Sequence, residues 1–378
     1  MGTVLGGKRQ IKVLIVDDSA LVRALLTRVL GEDPEILVVG AAPDAFVARE
    51  RIKALRPDVL TLDVQMPRMD GLQFLRNLMR LRPMPVVMCS SLTERGADVT
   101  LAALELGAVD FVTKPHADVA HELEAYAAEL IEKIKTAAGA RVRPLIEPAG
   151  AATEPALLAR GAGDQVIAVG ASTGGTEAIR QLLSRLPAAA PAVLIAQHIP
   201  RAFSAQFAAR MDACSAMSVR EAEDEALIQP GCAYIAPGDR HLLIRRDGAH
   251  YRCRLDDGPP VNRHRPSVDL LFGSMAEQVG AAGIGVILTG MGADGARGLK
   301  QLHGRGGLTI AQDEASSVVW GMPGAAVALG AVDRVLPIEQ IAASVLAARA
   351  STARRGASCG EAEPAREGGG ATRVRELR

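Results

Sequence analysis

The sequence predicts two α/β domains in tandem, the first on a doubly wound parallel sheet, the second on a mostly parallel sheet with inserted antiparallel strands. Three observations lead there. From residue 11 to about 135, short apolar runs alternate with amphipathic stretches. The alternation resumes at residue 164 and continues to about 348. Between the two lies "TAAGARVRPLIEPAGAATEPALLARGAG", residues 136–163, rich in Ala, Gly, Pro and Arg and without a period, which reads as a linker.

In the first domain the strands are IKVLIV, EILVVG, DVLTLD, PVVMC and AVDFV, each a continuous apolar run suited to a sheet covered on both faces. LVRALLTRVL, AFVARERIKALR and DVTLAALEL carry apolar residues at three- and four-residue spacing, the mark of helices lying on a sheet. In the second domain QVIAVG, VLIAQ and IGVILTG read as buried strands, and the stretch from GCAYIAPG to HYRCRLDD as short antiparallel strands inserted in the same sheet. Residues 349–378 are poor in apolar side chains and read as a disordered tail.

A length of 378 residues agrees with two cores rather than one. The 43 basic and 43 acidic residues cancel, which removes the electrostatic attraction expected of a nucleic-acid binder. Aromatic residues are only 3% of the chain, too few for base-stacking platforms. Cys89, Cys214, Cys232, Cys253 and Cys359 are scattered and odd in number, which fits reduced thiols better than disulfides or zinc ligands. No secretory signal opens the chain and no uncharged run approaches membrane-helix length. The expectation is a cytoplasmic protein without membrane insertion.

Two constellations carry chemistry. Asp17 and Asp18 follow the first strand and Asp63 ends the third; a parallel sheet brings these ends to one edge. Three carboxylates there repel one another and call for a hard cation, most simply Mg2+. Ser90 follows the fourth strand and Lys114 the fifth. A lone strand-end acid is ordinarily a solvated loop residue. Five such residues at successive strand ends instead supply what phosphoryl transfer to a carboxylate needs, with Asp63 as acceptor.

The second is "VIAVGASTGG", residues 166–175. A dinucleotide site would want a second Gly where Ser172 stands and an acid about 20 residues on. A P-loop would want Lys. Neither is present. Gly170-Ala171-Ser172-Thr173-Gly174 does fit G-x-S-x-G, the turn that exposes a serine hydroxyl. His198, at the end of VLIAQ, is a candidate base and Asp294, after IGVILTG, its candidate orienter, although capping and packing roles are common for both. The order Ser, His, Asp differs from that of the α/β-hydrolases. His241 and His264 read as rims of the same cleft, and His116, His121, His250 and His303 as surface residues.

"VLIVDDS", "LTLDVQMPRMDGL", "MCSS" and "DFVTKP" resemble the response-regulator receiver domain, a flavodoxin-like fold. The resemblance implies Asp63 as phosphoacceptor, Asp17 and Asp18 as metal-binding acids, Ser90 and Lys114 as their partners, and Phe111 at the aromatic switch position. "VGASTGG", "QHIP", "YIAPGDRHL", "HRPSVDLLF", "LTGMGADGARGL" and "VVWGMPGAA" resemble the chemotaxis protein-glutamate methylesterase (CheB) family. That resemblance implies Ser172 as nucleophile, His198 as base, Asp294 as orienter and the Met291 backbone N–H as an oxyanion donor. It also implies methyl-accepting chemotaxis receptors as substrates, glutamine deamidation as a second activity, a chemotaxis histidine kinase as phosphodonor, and no cofactor for the esterase step. Ala293 stands where Asn is frequent in the family. The bare residues leave two rivals: a binding-only output domain, and an esterase acting on a different signalling protein.

Overall fold

The computed structural model describes residues 9–64, 66, 69–90, 94–114, 120–142 and 165–357. Most of the expected linker and tail lie outside them. The first unit runs β1 (Ile11–Val16), α1 (Ala20–Gly31), β2 (Ile36–Ala42), α2 (Ala45–Leu55), β3 (Val59–Asp63), α3 (Gly71–Leu81), β4 (Val86–Ser90), α4 (Glu94–Glu105), β5 (Asp110–Thr113) and α5 (Ala120–Ala138). Its five strands are parallel in the order β2-β1-β3-β4-β5, so the carboxyl ends of β1, β3, β4 and β5 adjoin. Side chains start the helices as their residue types suggest. Ser19, Asp44 and Asp70 each accept from a backbone N–H in the first turn of α1, α2 and α3.

The second unit runs β6 (Val166–Ala171), α6 (Gly175–Leu183), β7 (Ala192–Gln197), α7 (Arg201–Ala213), β8 (Ser218–Glu221), β9 (Cys232–Ile235), β10 (His241–Asp247), β11 (His250–Asp256) and α8 (Val268–Gln278). After a 3₁₀ turn come β12 (Gly283–Ile287), α9 (Ala296–Gly304), β13 (Leu308–Gln312), α10 (Met322–Ala328), β14 (Arg334–Leu336) and α11 (Ile338–Ala357). Seven strands form one sheet, β14-β13-β12-β6-β7-β9-β8, with every pairing parallel. Among the described strands only β10 and β11 pair antiparallel, and they make a hairpin of their own. The expectation of antiparallel strands from GCAYIAPG onward therefore holds for the hairpin and not for β9. A four-residue buried run carries no sign of its neighbour's direction.

The two units share one apolar core. A contiguous set of buried side chains includes Leu101, Leu104, Ala108 and Phe111 of the first unit together with Phe203, Phe207, Ala208 and Met211 of α7. Helix α4 packs on α6 and α7. Ion pairs edge this seam: Arg210 grips Glu105 through two bonds of 2.9 and 2.6 Å, and Arg263 reaches Glu132 at 3.3 Å. The start of the expected linker is docked too. Thr136 contacts Met291 Sδ, while Arg141 donates its backbone N–H to Val318 and its side chain to Glu314.

Candidate active site

Sheet order places the second constellation. β12, β6 and β7 are neighbours, so Ser172, His198 and Asp294, each just beyond one of them, meet at one edge. The Ser172 backbone is tied to the sheet by its N–H to Thr289 O at 3.0 Å. Gly290 must lack a side chain here, since a Cβ would lie 2.8 Å from that of Ser172 and 2.3 Å from Met322 Sδ.

Asp294 is buried and accepts from five donors. They are His198 Nε2 at 2.9 Å, Asn262 Nδ2 at 2.7 Å, Ser267 Oγ at 2.9 Å, Val268 N at 2.7 Å and Asp269 N at 3.3 Å. Burial alone would raise its pKa. The bonds from His198, Asn262 and Val268 outweigh that and hold it down to about 2. Asp294 does act as a helix cap, but on α8 across the cleft, whose first N–H groups it accepts. The carboxylate is thus fixed, charged and aimed at His198.

With Nε2 on Asp294, the other ring nitrogen of His198, Nδ1, is buried and has no hydrogen-bond partner among the described residues. An unpartnered buried nitrogen on a ring oriented by a carboxylate is poised to take a proton. Ser172, His198 and Met291 line one cavity of about 590 Å³. Among the described residues the Met291 N–H donates to no acceptor.

His264 lines the cavity as expected, and its ring stacks on His198 at 3.8 Å between centroids and 11° between planes. His241 does not. It is fully buried behind the cleft, where Nδ1 accepts from Ser267 N and Nε2 faces Pro259 O. His303 pairs with Asp333 and His250 lies exposed in the hairpin. His116 lies outside the described residues, and the side chain of His121 does too. Of the thiols, burial pushes Cys89 and Cys253 up to about 12, which makes them inert at neutral pH. Cys359 lies outside the described residues.

Sequence reasoning missed Asn262, Ser267 and Gln197. Asn262 and Arg263 take left-handed backbone, φ 52° and 69°, which Asn tolerates better than most residues; that was the available signal.

The other wall of the cavity is the first unit: Asp110, Phe111, Glu129, Glu132 and Lys133 all line it. Thr173, next to Ser172, donates its hydroxyl to Asp110. Phe111 is buried with its ring 4.7 Å from that of Phe203, and Lys133 Nζ stands 5.1 Å over the Phe111 ring. Burial opposes the charge on Lys133, yet Asp110 and Glu129, at 3.2 and 2.9 Å, raise its pKa.

The first constellation also assembles. Carboxylate oxygens of Asp17, Asp18 and Asp63 lie within 4.8 Å of one another, with Asp17 and Asp63 buried. Lys114 Nζ sits 2.8 Å from Asp17 and 3.0 Å from Asp63. Three carboxylates against that ammonium leave net negative charge, and an all-oxygen donor set of this kind fits a hard divalent cation. Ser90 Oγ accepts from Thr100 of α4 at 2.7 Å, which links this edge to the helix packed on the second unit.

Residues 167–345 match the family model described as CheB methylesterase, and residues 13–125 the response regulator receiver domain. The chain is 58% identical over 346 residues to a protein-glutamate methylesterase/protein-glutamine glutaminase of Xanthomonas campestris pv. campestris, covering 89% of this chain and 97% of that one. It is 52% identical over 373 residues to one from Hydrogenovibrio crunogenus, covering 89% and 98%. Among solved structures it resembles the CheB methylesterase catalytic domain of Thermotoga maritima, at 36% identity and a TM-score of 0.48, over 49% of this chain and 99% of that one.

Proposed function

This chain belongs to the CheB methylesterase family and carries a response-regulator receiver domain ahead of it, and on that premise we propose that Ser172 is the nucleophile of a reaction the receiver holds in check. The chain is a protein-glutamate methylesterase and protein-glutamine glutaminase of the chemotaxis type. The observation that carries the residue assignment is the His198–Asp294 pair, with the free Nδ1 of His198 beside a cavity that also exposes Ser172.

His198 takes the Ser172 hydroxyl proton as the oxygen attacks the γ-carbonyl of a glutamyl methyl ester. The oxyanion develops against the Met291 N–H. Collapse breaks the C–O bond to the methoxy group, which leaves as methanol with the proton from His198. Water then attacks the acyl-serine, gives its proton to His198, and the proton returns to Ser172 as glutamate is released. A glutamine side chain follows the same course with ammonia leaving. We assign this half to side chains and backbone alone, without a cofactor.

In the receiver, Asp63 accepts the phosphoryl group of a histidine kinase, and Asp17, Asp18 and Asp63 would hold Mg2+, which neutralises charge on the incoming group when bound. Lys114 shares that neutralisation. The receiver forms one wall of the cleft, through Asp110, Phe111, Glu129, Glu132 and Lys133, and in that position obstructs a receptor helix about 10–12 Å across. Phosphorylation therefore acts by weakening the seam. We place the protein in the cytoplasm, acting on methyl-accepting chemotaxis receptors; among the described residues no helix is long and apolar enough to cross a membrane.

The test is methanol release from methylated receptor membranes, with and without a small acyl phosphate, for wild type and Ser172→Ala. Release that the donor stimulates and the variant lacks supports both halves. A wild type that binds receptors but releases nothing points to a binding-only output domain. Release from another signalling protein alone moves the substrate.

A further inference from the structure

We propose that Gln197 is a positioning residue of this reaction: its carboxamide locks the turn of the nucleophile to the turn of the base. The inference rests on the assignment of Ser172 and His198 above. Gln197 ends β7, is 4% exposed, and lines the cavity. Its Nε2 donates to two carbonyl oxygens at once, Ser172 O at 3.0 Å and His198 O at 3.2 Å. No other side chain among the described residues donates to both backbones. The Ser172 carbonyl also accepts the Gly175 N–H at 2.7 Å, and His198 N donates to Ala171 O at 3.2 Å.

The other end of the amide is not used for structure. Oε1 is buried and has no partner among the described residues. An orphaned buried acceptor opposes folding. Methionine would fill the same volume without that orphan, at the loss of the two bonds from Nε2. Nor can the amide turn over, because Oε1 would then face two carbonyl oxygens. The surroundings are shaped to this side chain: a Cβ on Gly175 would lie 2.2 Å from Oε1, so α6 has to begin with glycine. A buried amide that leaves its oxygen unpartnered while its nitrogen bridges the backbones of two reacting residues has a positional role. Small displacements of a nucleophile from its base are costly in rate: a misplacement of about 1 Å can cost about 100-fold.

The test uses the full chain with saturating acyl phosphate and methylated receptor membranes, comparing wild type, Q197M and Q197E. For Q197M the expectation is kcat lower by about 10- to 100-fold with KM unchanged, and a thermal midpoint lowered only by the loss of the two Nε2 bonds. In Q197E a carboxylate faces both carbonyls, and protonation restores one donor. The ratio of Q197E to wild-type kcat should therefore climb as pH falls from about 8 toward the carboxyl range. Retention of wild-type kcat by Q197M overturns the proposal. So does a loss in Q197M that appears in KM with kcat unchanged. Should Q197M not fold, a pH-independent loss in Q197E overturns it instead. Absence of methanol release from wild type would overturn the assignment of Ser172, and with it this proposal; a loss confined to the Gln197 variants concerns Gln197 alone.

Discussion

Thr173 donates its hydroxyl to Asp110, so the residue beside the candidate nucleophile is held by the first residue of the receiver's last strand. Asp110 also holds Lys133, whose ammonium stands over Phe111, and Phe111 packs on Phe203 of α7. The turn carrying Ser172, receiver strand β5 and Phe111 thus form one cluster. A receiver state that displaces Asp110 breaks the bond to Thr173.

Asp110→Asn should raise basal activity without phosphorylation. Asn keeps an acceptor oxygen for Thr173 but loses the charge, which forfeits about 1 kcal/mol between a charged and a neutral hydrogen bond, and about 1.4 kcal/mol is tenfold in an equilibrium. Methanol release without donor should increase severalfold to about tenfold. Arg210→Ala removes only the solvent-facing pair with Glu105, worth about 0–1 kcal/mol, and should change the basal rate much less. Equal effects would place the restraint in the seam as a whole.

Asp63→Ala should retain basal release and lose stimulation by acyl phosphate. Asp63 ends β3 and Asp110 starts β5, so the two stand at opposite edges of the parallel sheet; Lys114 contacts Asp63, and Ser90, which ends β4, contacts α4. Phosphodonor stimulation equal to that of wild type would overturn Asp63 as acceptor.

The parts of this molecule legible in the sequence are those where one residue type at a strand end decides the outcome. Asp17, Asp18, Asp63 and Lys114 were readable because a parallel sheet gathers strand ends whatever lies between them. Ser172, His198 and Asp294 followed the same logic. Hidden were residues whose role depends on contacts between distant segments. Asn262 reaches Asp294 from an irregular loop, His241 holds Ser267 N and meets Pro259 O, and Gln197 works through backbone oxygens that no motif records. The Thr173–Asp110 bond was hidden too, since it requires knowing how two domains dock.

Asp294→Asn should lower kcat by about 10³- to 10⁴-fold with acyl phosphate present. The charge that orients and stabilises protonated His198 is gone. The amide also turns an N–H toward donors, Val268 N or Ser267 Oγ among them. A clash of buried donors costs about 1–3 kcal/mol, so the thermal midpoint should drop as well. Wild-type kcat in this variant would remove Asp294 from the machinery.

His264 should make the fold sensitive to mild acid. Burial, then repulsion from His198, holds its pKa down from 6.5 to about 4. Between those values the unfolded chain binds a proton that the folded chain refuses. Stability is therefore full above about pH 6.5 and declines as pH falls toward 4. Asp294 acts with the same sign in a lower window, from 3.8 to about 2. His264→Phe keeps a flat ring against His198 and removes the titration. Its thermal midpoint should change less between pH 6.5 and 4 than that of wild type, with kcat largely kept. His264→Ala removes the ring, frees His198 to tilt, and should lower kcat at all pH values. Calorimetry across this range decides it: an acid slope in His264→Phe as steep as in wild type would assign the sensitivity to another group.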